Sequence, residues 1–368
     1  MLIEYIKVIS LCNQLFATHK KKFQNSKLPL LNLLPNLLLH LFLIFHLSSF
    51  IFHLPPVLTP QSSILNPQSS TMSLYTALDQ IPFRAEDLSR MPKPNRVLMV
   101  DPSHFDVEYV INPHMEGHIG GVDKDEARRQ WQEMHDTLRG IGLEVHVIDG
   151  QPGLPDMVFC ANQSLPCLRG DGSKEVIMSI MHADQRKGEV PFVEQFYRSM
   201  DYTIHHLNAS VINDFEGMGD ALWHSGRRLI WGGYGYRSSL SAYEAVSTIL
   251  NVPVIALELV DPAFYHLDTC LCILNERSAL YYPAAFTVEG IKILKAFFPN
   301  LIEVGADEAV HGFACNALCP DGKNVLIHNG LETTNDQLES LGFQIHEINT
   351  AEFLKSGGSV FCMKMMLW

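Results

Sequence analysis

One pattern recurs five times along this chain. From about Arg96 onward the sequence runs through an amphipathic helix, a tight turn and a β-rich strand. The copies read WQEMHDTLRGIGLEVHVID, FVEQFYRSMDYTIHHLN, YEAVSTILNVPVIALEL, GIKILKAFFPNLIEVG and NDQLESLGFQIHEIN. In each helix apolar residues fall at i, i+3 and i+4, and each strand alternates or is rich in Val and Ile. The strands are expected to begin near 143, 202, 253, 301 and 343, the spacing of an array of supersecondary units. A loop and a further short strand with unusual polar residues follow each copy: LPDMVFCANQSL, FEGMGDALW, FYHLDTCLCI, VHGFACNAL and GGSVFCMKM. Units of this kind predict an α/β fold that closes radially around an axis, which shortens and protects sheet edges. A doubly wound α/β sheet is the other arrangement open to such elements, but it does not account for five equivalent polar strands.

If the units close in a ring, equivalent positions face one central place. The polar strands then converge, bringing together Asp156 and Asn162, Glu216 and Asp220, His266 and Asp268, and Cys362. Each has an ordinary reading alone: a strand cysteine as core, a histidine as a satisfied polar group, FEGMGD as a solvated turn. Their matching positions make the set coherent. A thiolate attacks an electrophilic carbon, and histidine serves as acid and then base. Acyl-transfer cysteine enzymes line their sites with donors for an oxyanion. Glu and Asp instead accept hydrogen bonds and hold cations, and a planar guanidinium meets carboxylates through paired, charge-assisted bonds. Carboxylates also disfavour the free thiolate, so an arriving cation helps to form the nucleophile.

Charge and cysteine usage narrow the field. The net charge is -13, which argues against nucleic-acid binding, since that needs a basic face. Residues 1–71 hold five Lys and one Glu, so the rest of the chain is near -17 and suits a cationic substrate. Eight sparse cysteines, most in apolar runs, fit reduced buried thiols in the cytosol better than a disulfide framework.

Residues 1–71 are of another kind. Leu37 to Leu54 contains no Lys, Arg, Asp or Glu and approaches membrane-spanning length, with the positive flank HKKKF before it. His40, His46 and His53 and four prolines oppose a span. Two expectations stand: a targeting or anchoring segment, or sequence outside the working protein, with Met72 as an alternative initiator. Residues 72–95 are expected as a linker and 96–368 as the catalytic domain. The matching locations are the cytoplasm, or an organelle or membrane reached through residues 1–71.

The motifs DVEYVINPHMEGHIG, PGLPDMVFCAN, FEGMGDAL, WGGYGYRSSL, FYHLDTCLC, YYPAAF, FACNA and GGSVFCM lie in one order across about 96–368. In that set the chain resembles the guanidine-modifying (pentein) superfamily, and most closely its arginine dihydrolase group. The resemblance implies a five-bladed α/β propeller without a cofactor, acting on arginine or a related guanidino compound. It implies that Cys362 is the nucleophile and His266 the general acid/base. Asp268 contacts the guanidinium, and Glu216 hydrogen-bonds it and orients His266. Asn162 stands where deiminases of the superfamily place a second aspartate, and Asp156 lies nearby. Arg186 and Arg237 resemble the residues that hold the amino-acid carboxylate, and Asn112 a loop residue closing over the substrate. The implied products are ornithine, ammonia and carbon dioxide. Alternatives are a deiminase or dimethylarginine hydrolase stopping at citrulline, an amidinotransferase, or a non-catalytic binding protein. Gln163 and Ser164 depart from the family's small residues after Asn162. A homo-oligomer is compatible with the sequence. The spacing of His311, Cys315 and Cys319, with Cys270 and Cys272, raises a zinc reading, but a strand would hold those side chains too far apart for one metal.

Overall fold

The structure is a computed structural model that describes residues 74–368. The expectations for residues 1–71, Cys12 and Met72 lie outside the described residues. Among the described residues no helix is long and apolar enough to cross a membrane.

Among the described residues fifteen strands form five small sheets. β1 is Leu74–Tyr75, β2 Arg96–Val100, β3 Glu144–Ile148, β4 Ser164–Leu168 and β5 Lys174–Met178. β6 is Thr203–His206, β7 Ala221–Trp223, β8 Ile230–Tyr234, β9 Val254–Glu258 and β10 Leu271–Ile273. β11 is Ser278–Tyr281, β12 Asn300–Glu303, β13 Asn324–His328, β14 Gln344–Ile348 and β15 Met365–Leu367. The helices of the repeat are α1 (Lys124–Gly140), α2 (Val190–Ser199), α3 (Leu240–Leu250), α4 (Val288–Phe297) and α5 (Glu332–Ser340).

Every unit obeys one plan. A short inner strand pairs antiparallel with a middle strand, a helix crosses over, and an outer strand returns parallel to the middle one. β4-β5-β6 and β10-β11-β12 follow it completely. In the last unit β13 and β14 pair parallel, and a single antiparallel bridge from Leu318 to Leu326 stands for the inner strand. The parallel outer pairs need a crossover, which explains one helix per unit. α1 shows why these segments are helical: Asp123 caps it by accepting from the Asp125 and Glu126 amides, and Ala127, Trp131, Met134 and Leu138 form its buried stripe. The middle strands are covered on both sides and nearly all their residues are buried, whereas the outer strands β3, β6, β12 and β14 are half-buried.

The first unit is completed from the far end of the chain. β15 pairs antiparallel with β2, setting Met366 opposite Val97, and thereby supplies the inner strand that the first unit lacks. Residues 74–95, expected as a linker, lie along the body. β1 extends the third sheet by pairing parallel with β9, and Tyr75, Ala85 and Met91 are buried.

The polar segments differ from expectation. In place of the expected strands, each is a tight turn just before an inner strand or, in the last unit, before the Leu318 bridge: Cys160–Gln163, Gly217–Asp220, Leu267–Thr269, Ala314–Asn316 and the turn at 359–363. Side-chain hydrogen bonds to the backbone explain the change, because they satisfy amides that a strand would have paired. Asn316 Oδ1 accepts from the amides of Ser359, Phe361 and Cys362, which bends the chain at the cysteine. The turns also touch in succession. Gly219 lies against the Asn162 amide, the Leu267 amide donates to Asp220 Oδ1, and Asn316 Nδ2 donates to the Asp268 carbonyl. The Phe361 amide donates to the Asn316 carbonyl, and the Ala161 amide to that of Cys362.

Candidate active site

Seven of the expected residues line one small cavity: Asn112, Asp156, Asn162, Arg186, Arg237, His266 and Cys362. Glu216 and Asp268 stand directly behind it, each hydrogen-bonded to a lining residue. All nine are buried. Two larger clefts among the described residues hold no such set of nucleophile, imidazole and carboxylates.

Cys362 Sγ is held from two sides. Asn316 Nδ2 donates to it at 3.2 Å, and the thiol donates to Asp268 Oδ2 at 3.3 Å. Burial pushes the Cys362 thiol well above its ordinary range, and the Asp268 charge adds to that. Burial likewise raises Asp268, to about 7, against the lowering effects of the thiol bond and Lys364. Its Oδ1 is buried without a partner.

His266 Nε2 meets Glu216 Oε2 at 2.6 Å. Burial drives the imidazole down to about 4, outweighing the Glu216 bond that raises it. Glu216 is itself opposed by burial, yet His266, Arg237 and Arg186 hold it at about 2. The resting pair is therefore a carboxylate and a neutral imidazole. Nε2 must carry the proton that Glu216 accepts, leaving Nδ1 as the basic nitrogen. The other oxygen, Glu216 Oε1, accepts from the His182 amide at 2.9 Å and lies 3.8 Å from Arg237 Nη1.

Asn162 is oriented by a neighbour that can only donate. Arg186 Nη1 reaches Asn162 Oδ1 at 3.0 Å, so the acceptor end of the amide faces the guanidinium. Its Nδ2 is buried, without a hydrogen-bond partner, close to His266. This nitrogen lies where any side chain on Gly219 would stand, so that glycine is needed for the close approach. Arg186 was expected as a carboxylate clamp. The structure first commits it to Glu189, which takes bonds from Nε and Nη2 at 2.8–3.1 Å, and to the carbonyls of Asp156 and Phe159. Gln163, the departure noted after Asn162, donates to the same Glu189. Arg186→Met would leave Glu189 buried without a counter-charge. The expected cost is about 3–5 kcal/mol, read as a lower urea midpoint, with part regained in the Arg186→Met/Glu189→Met double variant.

The remaining residues close the mouth. Asn112 Nδ2 donates to the Ser356 carbonyl at 3.0 Å, and Arg237 Nη2 to that of Ile111 at 2.5 Å. The Arg237 guanidinium stacks on Tyr265, 4.7 Å from the ring centroid, and Tyr265 Oη donates to the Gly357 carbonyl at 2.6 Å. Gly357 has a φ of 80°, and a Cβ there would sit 2.7 Å from both Asn112 Oδ1 and Tyr265 Oη, which accounts for the glycine. Asp156 Oδ1 accepts from Ser356 Oγ at 2.8 Å, while its Oδ2 is unpartnered.

Asp220 does not reach the cavity. It accepts from Ser238 Oγ and the Leu267 amide, and so anchors the backbone between His266 and Asp268. The zinc reading is not met: GFACNALC is a turn rather than a strand, His311 is exposed while Cys315 and Cys319 are buried, and no group of three or more metal-binding side chains gathers among the described residues. Sequence reasoning missed Asn316, whose signal was its place in FACNA, equivalent to the other polar turns. It also missed Tyr265 and Ser356.

Residues 115–368 match the family model described as N,N dimethylarginine dimethylhydrolase, eukaryotic. The chain is 36% identical over 273 residues to the bifunctional arginine dihydrolase/ornithine cyclodeaminase ArgZ of Synechocystis, covering 73% of this chain and 37% of that protein. It therefore spans little more than a third of that relative's length. It is also 36% identical over 276 residues to the N(G),N(G)-dimethylarginine dimethylaminohydrolase of Mycobacterium tuberculosis, covering 74% and 86% of the two chains. The crystal structure of the N-terminal domain of ArgZ, an arginine dihydrolase, in a cysteine-to-serine form bound to substrate, superposes with a TM-score of 0.70. The identity is 35%, and 74% of this chain and 97% of that one are covered.

Proposed function

This chain belongs to the dimethylarginine dimethylaminohydrolase family of guanidine-modifying enzymes, and on that premise we propose that it hydrolyses arginine to ornithine, two ammonia and carbon dioxide. The observation that carries the second half of this reaction is the fixed orientation of Asn162. With its oxygen committed to Arg186, its NH2 group remains to donate. Neutral citrulline would meet an acceptor of like kind in an aspartate, but a donor to its urea oxygen in this asparagine. Citrulline then stays bound and is attacked again.

The guanidinium is neutralised by Glu216 and Asp268, whose free Oδ1 supplies an acceptor, and its charge favours the Cys362 thiolate. Cys362 attacks the guanidinium carbon, and its proton passes to His266. The imidazolium gives that proton to the leaving nitrogen, so ammonia departs and a thiouronium adduct remains. Water, deprotonated by His266, adds to the adduct carbon; the C–S bond breaks, giving citrulline, the thiol and one proton. A second round on the urea expels the second ammonia and forms a thiocarbamate. Its hydrolysis gives the carbamate of ornithine, which loses carbon dioxide. Arg237, the remaining N–H of Arg186 and Asn112 hold the amino-acid end.

The five mixed sheets are, on this reading, the blades of a five-bladed α/β propeller, and the succession of turn-to-turn contacts supports a closed ring. Incubating the purified protein with arginine tests the function. Ornithine with two ammonia per arginine is the expected outcome, and citrulline that accumulates unconsumed contradicts it. The family model favours a second reading, hydrolysis of methylated arginine to citrulline. Turnover of dimethylarginine in preference to arginine would select it.

The pH dependence follows from Asp268. With its carboxyl raised to about 7, the ionised form that receives the guanidinium is present above that pH and lost below it. kcat/KM, which reports the free enzyme, is expected to fall about tenfold per pH unit below about 7. In Asp268→Asn that acid limb should vanish along with most of the activity; an unchanged limb would assign it to another group.

A further inference from the structure

Asn316 is buried in the turn before the Leu318 bridge, and both ends of its amide are engaged there. Oδ1 accepts from the amides of Ser359, Phe361 and Cys362 at 3.1, 3.1 and 3.3 Å. Nδ2 donates to the Asp268 carbonyl at 3.0 Å and to Cys362 Sγ at 3.2 Å. These partners fix which end of the side chain meets the sulfur. Turned over, the amide would set its NH2 group against three N–H donors and its oxygen against the Asp268 carbonyl oxygen. One N–H of Asn316 therefore points at the reacting atom and is not free to turn away.

The two side chains that touch the sulfur serve different states of it. Asp268 Oδ2 accepts from the thiol at 3.3 Å, which suits the protonated form, but toward a thiolate it is an acceptor facing an acceptor. Asn316 Nδ2 can only donate, so its contact strengthens as the sulfur gains charge. A donor held in place before the charge develops costs no reorganisation when it does. Holding the turn does not require this contact, because Oδ1 alone receives the three amides. The bond from Nδ2 to the sulfur is left without a structural purpose.

We infer that Asn316 is a catalytic residue whose Nδ2 aims the Cys362 sulfur and stabilises the thiolate, both as it attacks and as it leaves when the C–S bond breaks. The inference rests on Cys362 as nucleophile. The test is alkylation of the full chain by iodoacetamide, with the rate at Cys362 followed by peptide mapping between about pH 7 and 9, where the rate tracks the thiolate fraction. The natural protein is compared with Asn316→Asp, which keeps the acceptor for the three amides, and with Asn316→Leu, which keeps the shape alone. Cys362 labelling should fall about ten- to hundredfold in Asn316→Leu, the effect of losing a hydrogen bond to a charged group. It should fall further in Asn316→Asp, where a like charge replaces the donor. The melting temperature should follow the opposite order, with Asn316→Leu the lower because three buried amides lose their acceptor. An asparagine that only holds the turn would leave labelling unchanged in Asn316→Asp and speed it in Asn316→Leu by loosening the turn; either result would overturn the inference. Alkylation of Cys362 that left arginine turnover intact would overturn the nucleophile reading itself, and this inference with it.

Discussion

Cys362→Ser is expected to abolish arginine turnover, by on the order of 10^4–10^6-fold, the usual range for loss of a covalent nucleophile. The surroundings make the loss severe. Asp268 lies 3.3 Å from the sulfur and Glu216 stands behind His266, so an alkoxide would form between carboxylates. A serine hydroxyl is a far weaker acid than a thiol. Binding should survive, because the groups that receive arginine are untouched. Ammonia release measures the first effect and calorimetric titration with arginine the second. A serine variant retaining activity within tenfold of the natural protein would remove the covalent mechanism.

Asn162→Asp should change the product rather than the first step. The new carboxylate would pair with Arg186, which already holds the Asn162 oxygen, so folding should be little affected. What disappears is the donor for the urea oxygen. Loss of one positioned donor costs about 10^2–10^3-fold in rate, and an added acceptor opposes citrulline further. Arginine should still be consumed, with citrulline accumulating and ornithine formation reduced by at least that factor. Chromatographic separation of the three amino acids gives the answer directly. Ornithine formed at the natural rate would show that Asn162 does not govern the second hydrolysis.

Much of this arrangement was visible in the amino-acid order because the signals are local. The stripe Ala127, Trp131, Met134 and Leu138 is written at helical spacing. The outer strands begin at Glu144, Thr203, Val254, Asn300 and Gln344, within about a residue of expectation. The equivalence of the polar segments was legible for the same reason, since each follows a copy of the unit.

Long-range pairing was not legible. Nothing near Arg96 announces that Met365–Leu367 will supply the missing inner strand. The polar segments looked like strands because VFC and FAC carry β-favouring residues. Propensity yielded there to hydrogen bonds from distant side chains, above all those of Asn316 to the turn at Cys362. Arg186 shows the same limit: its partner Glu189 is three residues away and could be guessed, while Asn162 lies 24 residues upstream. Lys364 is fully buried among methionines, a burial that no local pattern in the sequence announces.

Rapid mixing of the protein with arginine, acid quenching and peptide mass mapping would test the account where it is most exposed. The peptide containing Cys362 should carry a mass increase that corresponds to the arginine-derived adduct, appearing before citrulline and ornithine and decaying as they form. Consumption of arginine with that peptide unmodified at every time, or with the adduct on a different residue, would contradict it.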